Sequence, residues 1–383
     1  MTRMPVSKLP ATGTTIFTRM SALAADSGAI NLSQGYPDFP PPDGLVEALA
    51  RASRDGFNQY APMAGLPELR EQLAEQLRRH RQVNVDPGDE ITIVPGATEG
   101  IFCCVMACVH PGDEVILLDP CYDSYAPAVQ LAGGMPVHVA LAGTDFAVDW
   151  NAVEAAITPR TRMLMINSPH NPTGSVLGRQ DLEVLSQLAE RHDLLVSSDE
   201  VYEHLVYDGR QHYSALQWPA LRQRAFVHYS FGKTFSVTGW KTGYCVAPAA
   251  LTAELRKVHQ FVAFVAVTPV QKAIADFLQQ QPDYPLTLAQ RYQEKRDLFI
   301  EALAGSRFRL QASAGTYFQL LDYSAISGLP DYQLCEDWTR EYGVASIPIS
   351  VFYQQPPAQS LLRFCFAKSD ATLLKAAELL CKI

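Results

Sequence analysis

The sequence predicts an α/β fold, a large layered domain on a mostly parallel sheet, followed by a smaller α+β domain. Three observations lead there. Between about residues 91 and 250, short β-branched runs alternate with segments of helical periodicity, the pattern of strands joined by crossover helices. After Pro269 the pattern changes to a long charged helix-like stretch, then short strands and a final helix. The chain has 383 residues, 48% of them apolar, enough for a substantial core in one large and one smaller domain.

Taken in order, residues 1–44 form an arm that ends in Tyr36-Pro-Asp-Phe-Pro-Pro-Pro. It is too short to fold alone and is expected to dock on the smaller domain or on a partner subunit. Residues 45–280 form the large domain, with predicted strands at Ile91–Val94, Val115–Leu118, Met163–Ile166, Leu194–Ser197 and Phe226–Tyr229. The apolar run Ile101–Val109 reads as a helix between the first two. Residues 281–383 form the smaller domain, with a helix over Arg291–Leu303, strands at Gly315–Leu321 and Leu361–Phe366, and a closing helix.

Composition narrows the function. Thirty-one basic against forty acidic residues give a formal charge of −9, which repels polyanions and makes nucleic acid a poor partner. The eight cysteines contain no Cys-x-x-Cys pair, and Cys103, Cys104 and Cys108 fall in the apolar helical run, so they read as reduced core residues. Met1–Pro10 has no signal-peptide pattern and no apolar run is long enough for a bilayer, which predicts a cytoplasmic protein without a membrane partner.

In open α/β sheets, ligands gather beyond the carboxyl ends of the strands. Four segments there carry chemistry. Pro95-Gly-Ala-Thr-Glu-Gly100 is a tight turn opening a helix, suited to a phosphate through free N–H groups and the Thr98 hydroxyl, or simply a helix cap. Asn167-Ser-Pro-His-Asn171-Pro-Thr-Gly174 holds two amides in a proline-rich loop, either ligand donors or turn formers. Asp199-Glu-Val-Tyr202 places an acid past a buried strand, where it needs a cation, such as a protonated ring nitrogen, or a structural ion pair. Ser230-Phe-Gly-Lys-Thr-Phe-Ser-Val-Thr-Gly-Trp-Lys241 sets Lys233 among aromatic, glycine and hydroxyl residues that can bury an amine, as a Schiff-base lysine requires. Gly232-Lys-Thr is not a P-loop, because Val227 stands where that motif needs glycine. A phosphate cradle, amides for a phenolic oxygen, an acid for a pyridinium and an amine for an aldehyde match the functional groups of pyridoxal 5′-phosphate.

These segments, with Asn31-Leu-Ser-Gln-Gly-Tyr-Pro-Asp-Phe, Asn58-Gln-Tyr60-Ala-Pro and Leu362-Arg-Phe-Cys-Phe, resemble the fold-type I, class I aminotransferases of the methionine and kynurenine/glutamine transaminase branch over essentially the whole chain. The resemblance implies the fold-type I pyridoxal 5′-phosphate-dependent transferase fold and a homodimer with sites at the subunit interface. It implies a ping-pong transfer of the amino group of methionine and aromatic amino acids to a 2-oxo acid. It makes Lys233 the Schiff-base residue and proton shuttle, Asp199 the partner of the pyridine nitrogen, and Asn171 and Tyr202 donors to the phenolic oxygen. Gly96, Ala97, Thr98, Ser230 and Lys241 would hold the phosphate, Tyr122 would stack on the ring, and Tyr60 would reach the phosphate of the other subunit. Arg363 would grip the substrate α-carboxylate with help from Gly35 and Asn167, while Phe17 and Phe264 would wall the side-chain pocket. Val265 stands near where kynurenine-preferring members carry histidine, which weakens the expectation of kynurenine specificity and leaves methionine and aromatic amino acids favoured. No metal is implied. The rival activities are a cysteine-S-conjugate β-lyase or a kynurenine/glutamine transaminase, using the same cofactor, and, more remotely, a regulatory module that binds the cofactor without turnover.

Overall fold

The computed structural model describes residues 6–383. The first five positions of the arm, and of the stretch expected to lack a signal peptide, lie outside the described residues. The arm contributes a helix, Ile16–Ser27, capped by Thr15, and a short strand β1 (Ile30–Asn31). Seven strands then form the large sheet: β2 (Ile91–Val94), β3 (Glu114–Asp119), β4 (Met135–Ala140), β5 (Thr161–Asn167), β6 (Leu195–Asp199), β7 (Ala225–Ser230) and β8 (Gly243–Val246). Their order is β2-β8-β7-β6-β5-β3-β4, with β8 antiparallel to both neighbours and every other pairing parallel.

The strands read as unbroken apolar runs because the sheet is covered on both faces. Alternate residues enter separate cores: Ile116, Leu164, Ile166, Val196 and Val227 pack on one side, and Val115, Leu117, Met163, Met165 and Phe226 on the other. The helix Ala97–Cys108 lies on the second side, burying Ile101, Cys103, Cys104 and Val105.

A third core gathers the remaining elements. Strands β9 (Phe318–Asp322), β11 (Ile347–Pro348) and β12 (Leu361–Cys365) form an antiparallel sheet in the order β11-β12-β9. The arm joins this core: Met20, Ala24 and Leu32 are buried in it, and β1 pairs in parallel with β10 (Val344–Ala345). Tyr202, Leu205 and Tyr207, just past β6, enter it too.

Several boundaries differ from the sequence reading. The long helix runs Leu288–Ala302, and β9 starts at Phe318 because Thr316, at φ 64°, interrupts the extended chain. Strands β4 and β8 are additions to the five that the sequence predicts. All eight cysteines are free, but Cys381 is exposed and Cys108 half-buried, so the thiols are not uniformly core residues. No helix among the described residues is long and apolar enough to cross a membrane.

Candidate active site

The carboxyl ends of β5, β6 and β7 set the site. In the register of β5 and β6, Asn167 lies beside Asp199. Asn167 Nδ2 donates to the Asp199 carbonyl at 2.8 Å, and its Oδ1 accepts the Asn171 N–H at 2.7 Å. The Asn167 amide is therefore a brace that ties the proline-rich loop to the next strand.

One cavity is lined by Gly96, Ala97 and Thr98, by Tyr122, Asn167, Asn171, Asp199 and Tyr202, and by Ser230, Lys233 and Lys241. A larger cavity of about 810 Å³ opens elsewhere, between Gly143–Val148 and Arg309–Ala314, and contains none of these groups. The smaller cavity holds the chemistry.

Lys233 sits in the single turn Phe231–Thr234 that follows β7. Its Nζ donates to Tyr317 Oη at 2.8 Å and to the Gly35 carbonyl at 3.4 Å. Tyr317 Oη also donates to the Gly35 carbonyl. Burial pushes the amine down to about 8, outweighing the nearby Asp199 carboxylate, which favours its protonation. About a tenth of the amine is thus unprotonated at pH 7, far more than for an ordinary lysine, as a nucleophile requires.

Asp199 ends β6 and is almost fully enclosed. Tyr125 Oη donates to Asp199 Oδ2 at 2.6 Å, and the Val201 N–H reaches Oδ1 at 3.3 Å. Desolvation pushes this carboxyl up to about 6, with Tyr125 partly offsetting it. No cation forms an ion pair with it among the described residues, so the carboxylate is placed for a cationic ligand.

At the mouth of the helix Ala97–Cys108, Gly96 adopts φ 82°. A Cβ there would come within 3.4 Å of Lys241 Nζ, so glycine lets the ammonium approach the turn. The helix begins with free N–H groups beside Thr98, an arrangement that favours an anion. Tyr122 leans edge-on against Tyr125 with centroids 5.6 Å apart.

Arg363 enters from the middle of β12 and is only 1% exposed. Its Nη1 donates to Asn171 Oδ1 at 2.7 Å and its Nη2 to the Ser33 carbonyl at 3.0 Å, while Nε has no partner. The guanidinium lies 3.9 Å from the centre of the Phe318 ring, 5.2 Å from that of Phe352 and 5.3 Å from that of Phe17. Burial pushes it down to about 10. No carboxylate among the described residues forms an ion pair with it, so a planar fork is left for an incoming one.

Tyr60 and Phe264 stand apart from this cavity. The Tyr60 ring is 81% exposed and packs edge-on against Phe264, 43% exposed, at 5.3 Å. Phe264 does not wall the pocket of its own chain, because it follows the helix Ala249–Val262 at φ 68°, among exposed Phe261 and Val267. Tyr125 and Tyr317 reach Asp199 and Lys233, yet the sequence reading names neither. Tyr125 closes the segment Pro120-Cys-Tyr-Asp-Ser-Tyr, whereas nothing local marks Tyr317.

The model of the family described as aminotransferase class I and II matches residues 27–380. The chain is 49% identical to methionine aminotransferase of Escherichia coli, covering 98% of this chain and 97% of that protein. It is 39% identical to a probable N-succinyldiaminopimelate aminotransferase of Mycobacterium tuberculosis, covering 97% of each. A solved Escherichia coli structure, described as identifying a methionine aminotransferase function, superposes with a TM-score of 0.98 at 48% identity over 100% of both chains. With a half-buried lysine, and an acid and an arginine that have no ion-pair partner among the described residues, assembled in the fold these relatives share, the chain belongs to the class I and II aminotransferases.

Proposed function

We propose that this enzyme binds pyridoxal 5′-phosphate and transfers the amino group of methionine, and of aromatic amino acids, to a 2-oxo acid. The observation that carries the reading is the convergence of Lys233, Asp199 and an anion-suited turn on one cavity, beside an arginine that has no acidic partner among the described residues. The 49% identity to a methionine aminotransferase favours methionine as donor, and the valine at position 265 argues against a kynurenine preference.

When bound, the cofactor supplies an aldehyde that captures amines and a ring that accepts the electron pair released at the substrate Cα. The residues do the rest. Lys233 contributes the amine that is exchanged for the substrate's and then moves the proton at Cα. Asp199 keeps a proton on the ring nitrogen. Asn171, whose Nδ2 has no protein partner among the described residues, and Tyr202 donate to the phenolic oxygen. Gly96, Ala97, Thr98, Ser230 and Lys241 hold the phosphate, and Tyr122 covers one face of the ring. Arg363 binds the α-carboxylate, with Gly35 and Asn167 completing that end of the pocket and Phe17 lining the side-chain space. A fixed carboxylate orients Cα–H relative to the ring and so decides which bond breaks.

The reading includes a homodimer in which a second copy covers the exposed aromatic face, Tyr60 reaching the other site's phosphate and Phe264 the other site's side-chain pocket. It also divides the chain into an arm (1–44), a large domain (45–280) and a small domain (281–383), supported by the separate cores, although Tyr202, Leu205 and Tyr207 join the smaller domain's core. An acidic chain whose eight cysteines are all free suits the cytoplasm.

The test is a panel of amino donors mixed with cofactor-loaded protein, following the cofactor's absorbance and the 2-oxo acid formed. Methionine should convert the cofactor to its amine form and yield its 2-oxo acid. Pyruvate and ammonia from a cysteine conjugate, with no amino transfer, would replace this reading with the β-lyase. No exchange with any donor would leave a cofactor-binding module without turnover.

A further inference from the structure

Among the described residues, the Asp199 carboxylate accepts a hydrogen bond from one side chain only. Tyr125 opens the helix Tyr125–Leu131, is 3% exposed, and places its hydroxyl 2.6 Å from Asp199 Oδ2. The other oxygen receives just the Val201 N–H at 3.3 Å. The two oxygens are therefore unequal, one firmly engaged and one nearly free.

No other neighbour can take over that contact. Glu200 points its carboxylate to Ser198, His212, Tyr229 and the Ala215 N–H. His228, the register partner of Asp199 on β7, is kept neutral by burial, at about 3. Lys233 is turned to Tyr317, and the rings of Tyr122 and Tyr202 complete the set of titratable groups around Asp199. Tyr125 itself is held edge-on by Tyr122 and packs in the core that contains Ala128 and Val129. Burial and the adjacent carboxylate both push its hydroxyl up, so it remains a donor across the working pH range.

We propose that Tyr125 is a positioning residue for the reaction: its hydroxyl fixes the Asp199 carboxylate in one rotamer, keeps it ionised, and reserves Oδ1 for the cofactor's ring nitrogen. The proposal rests on the cofactor reading above. Without the donor, a desolvated carboxylate gains affinity for a proton and is free to turn, and the ring nitrogen loses part of the charge that holds its own proton. Tyr125 thus acts on the electron-accepting power of a ring that it does not touch.

The experiment compares wild type with Tyr125→Phe, each as purified apoprotein and after loading with pyridoxal 5′-phosphate. Five quantities are read: apoprotein melting temperature, cofactor affinity, the pH midpoint of the bound cofactor's visible absorbance, and kcat and KM for methionine. Loss of one charge-assisted hydrogen bond should weaken cofactor binding about tenfold and move the absorbance midpoint upward by about one pH unit. It should lower kcat about tenfold with KM changed less than about twofold, since Arg363 still binds the substrate. A folded, loaded Phe variant with unchanged affinity and midpoint overturns the proposal. Should that variant not fold, 3-fluorotyrosine at position 125, a stronger donor of nearly the same shape, should move the midpoint the opposite way, and an unmoved midpoint overturns the proposal equally. A wild-type chain that takes up no cofactor overturns the functional reading itself, and the proposal with it.

Discussion

Removing the Arg363 guanidinium separates substrate recognition from folding. The group is buried, donates to Asn171 Oδ1 and the Ser33 carbonyl, and among the described residues has an unpartnered Nε and no acid within ion-pair distance. Losing one partner of a desolvated charge pair costs about 2–5 kcal/mol, or roughly 30-fold to a few thousand-fold in affinity. Arg363→Met keeps much of the volume and the contacts with Phe318 and Phe352 while deleting the charge. In the apoprotein, the change removes a charge held at a desolvation cost and leaves Asn171 Oδ1 and the Ser33 carbonyl each short of one donor, terms of opposite sign and similar size. The apoprotein melting temperature should therefore stay within about 5 °C of wild type, as befits a net change near 1 kcal/mol or less in a chain of this length. The assay titrates methionine against cofactor-loaded protein and follows the absorbance change of the first half-reaction. Saturation should move at least about 30-fold higher. A variant that binds methionine within about twofold of wild type would refute the assignment of Arg363 to the carboxylate.

Two further substitutions probe the other polar groups. Lys233→Ala should abolish turnover and borohydride-trapped cofactor while the circular dichroism of the apoprotein stays unchanged, since a half-buried amine and no core side chain is lost; near-normal transamination would refute the role. Asp199 has a folded value of about 6, above the ordinary 3.8, so folding favours its protonated form, and its destabilising effect grows as pH rises from about 4 through 6 and then levels off. A rise of that size corresponds to about 3 kcal/mol. Asp199→Asn should flatten the fall in apoprotein stability across that window while weakening cofactor binding, and parallel denaturation curves at pH 4 and pH 7 for both proteins would contradict it.

Much of this is legible along the chain. The five predicted strands of the large sheet are visible because burial on both faces makes them continuous apolar runs, as in β5 and β7. Strand β4 escapes because it lies at the sheet's edge, follows Gly133-Gly134, carries Pro136 and is largely half-exposed or exposed. Strand β8 escapes because it is four residues long and begins with Gly243, whose need for a bare Cα is set by distant neighbours: a Cβ there would sit 2.3 Å from the Tyr229 carbonyl oxygen. The same locality governs the site. Lys233, Asp199 and Asn171 declare themselves by position at strand ends, but the Tyr317 hydroxyl meets Lys233 across 84 residues and Tyr125 meets Asp199 across 74. A tyrosine in an apolar stretch looks like packing until its partner is known. Tyr60 and Phe264 show the converse, since their surroundings in one chain do not reveal the work that the resemblance gives them.

The hydrogen bond from Arg363 to Asn171 joins strand β12 of one core to the loop after β5 of another, across 192 residues. The guanidinium proposed to clamp the substrate and the amide proposed to face the cofactor thus exist as a unit only while the two cores are docked. Loosening that seam would silence the enzyme long before either core melted, so activity is a more sensitive gauge of docking than any spectroscopic measure of helix or sheet content.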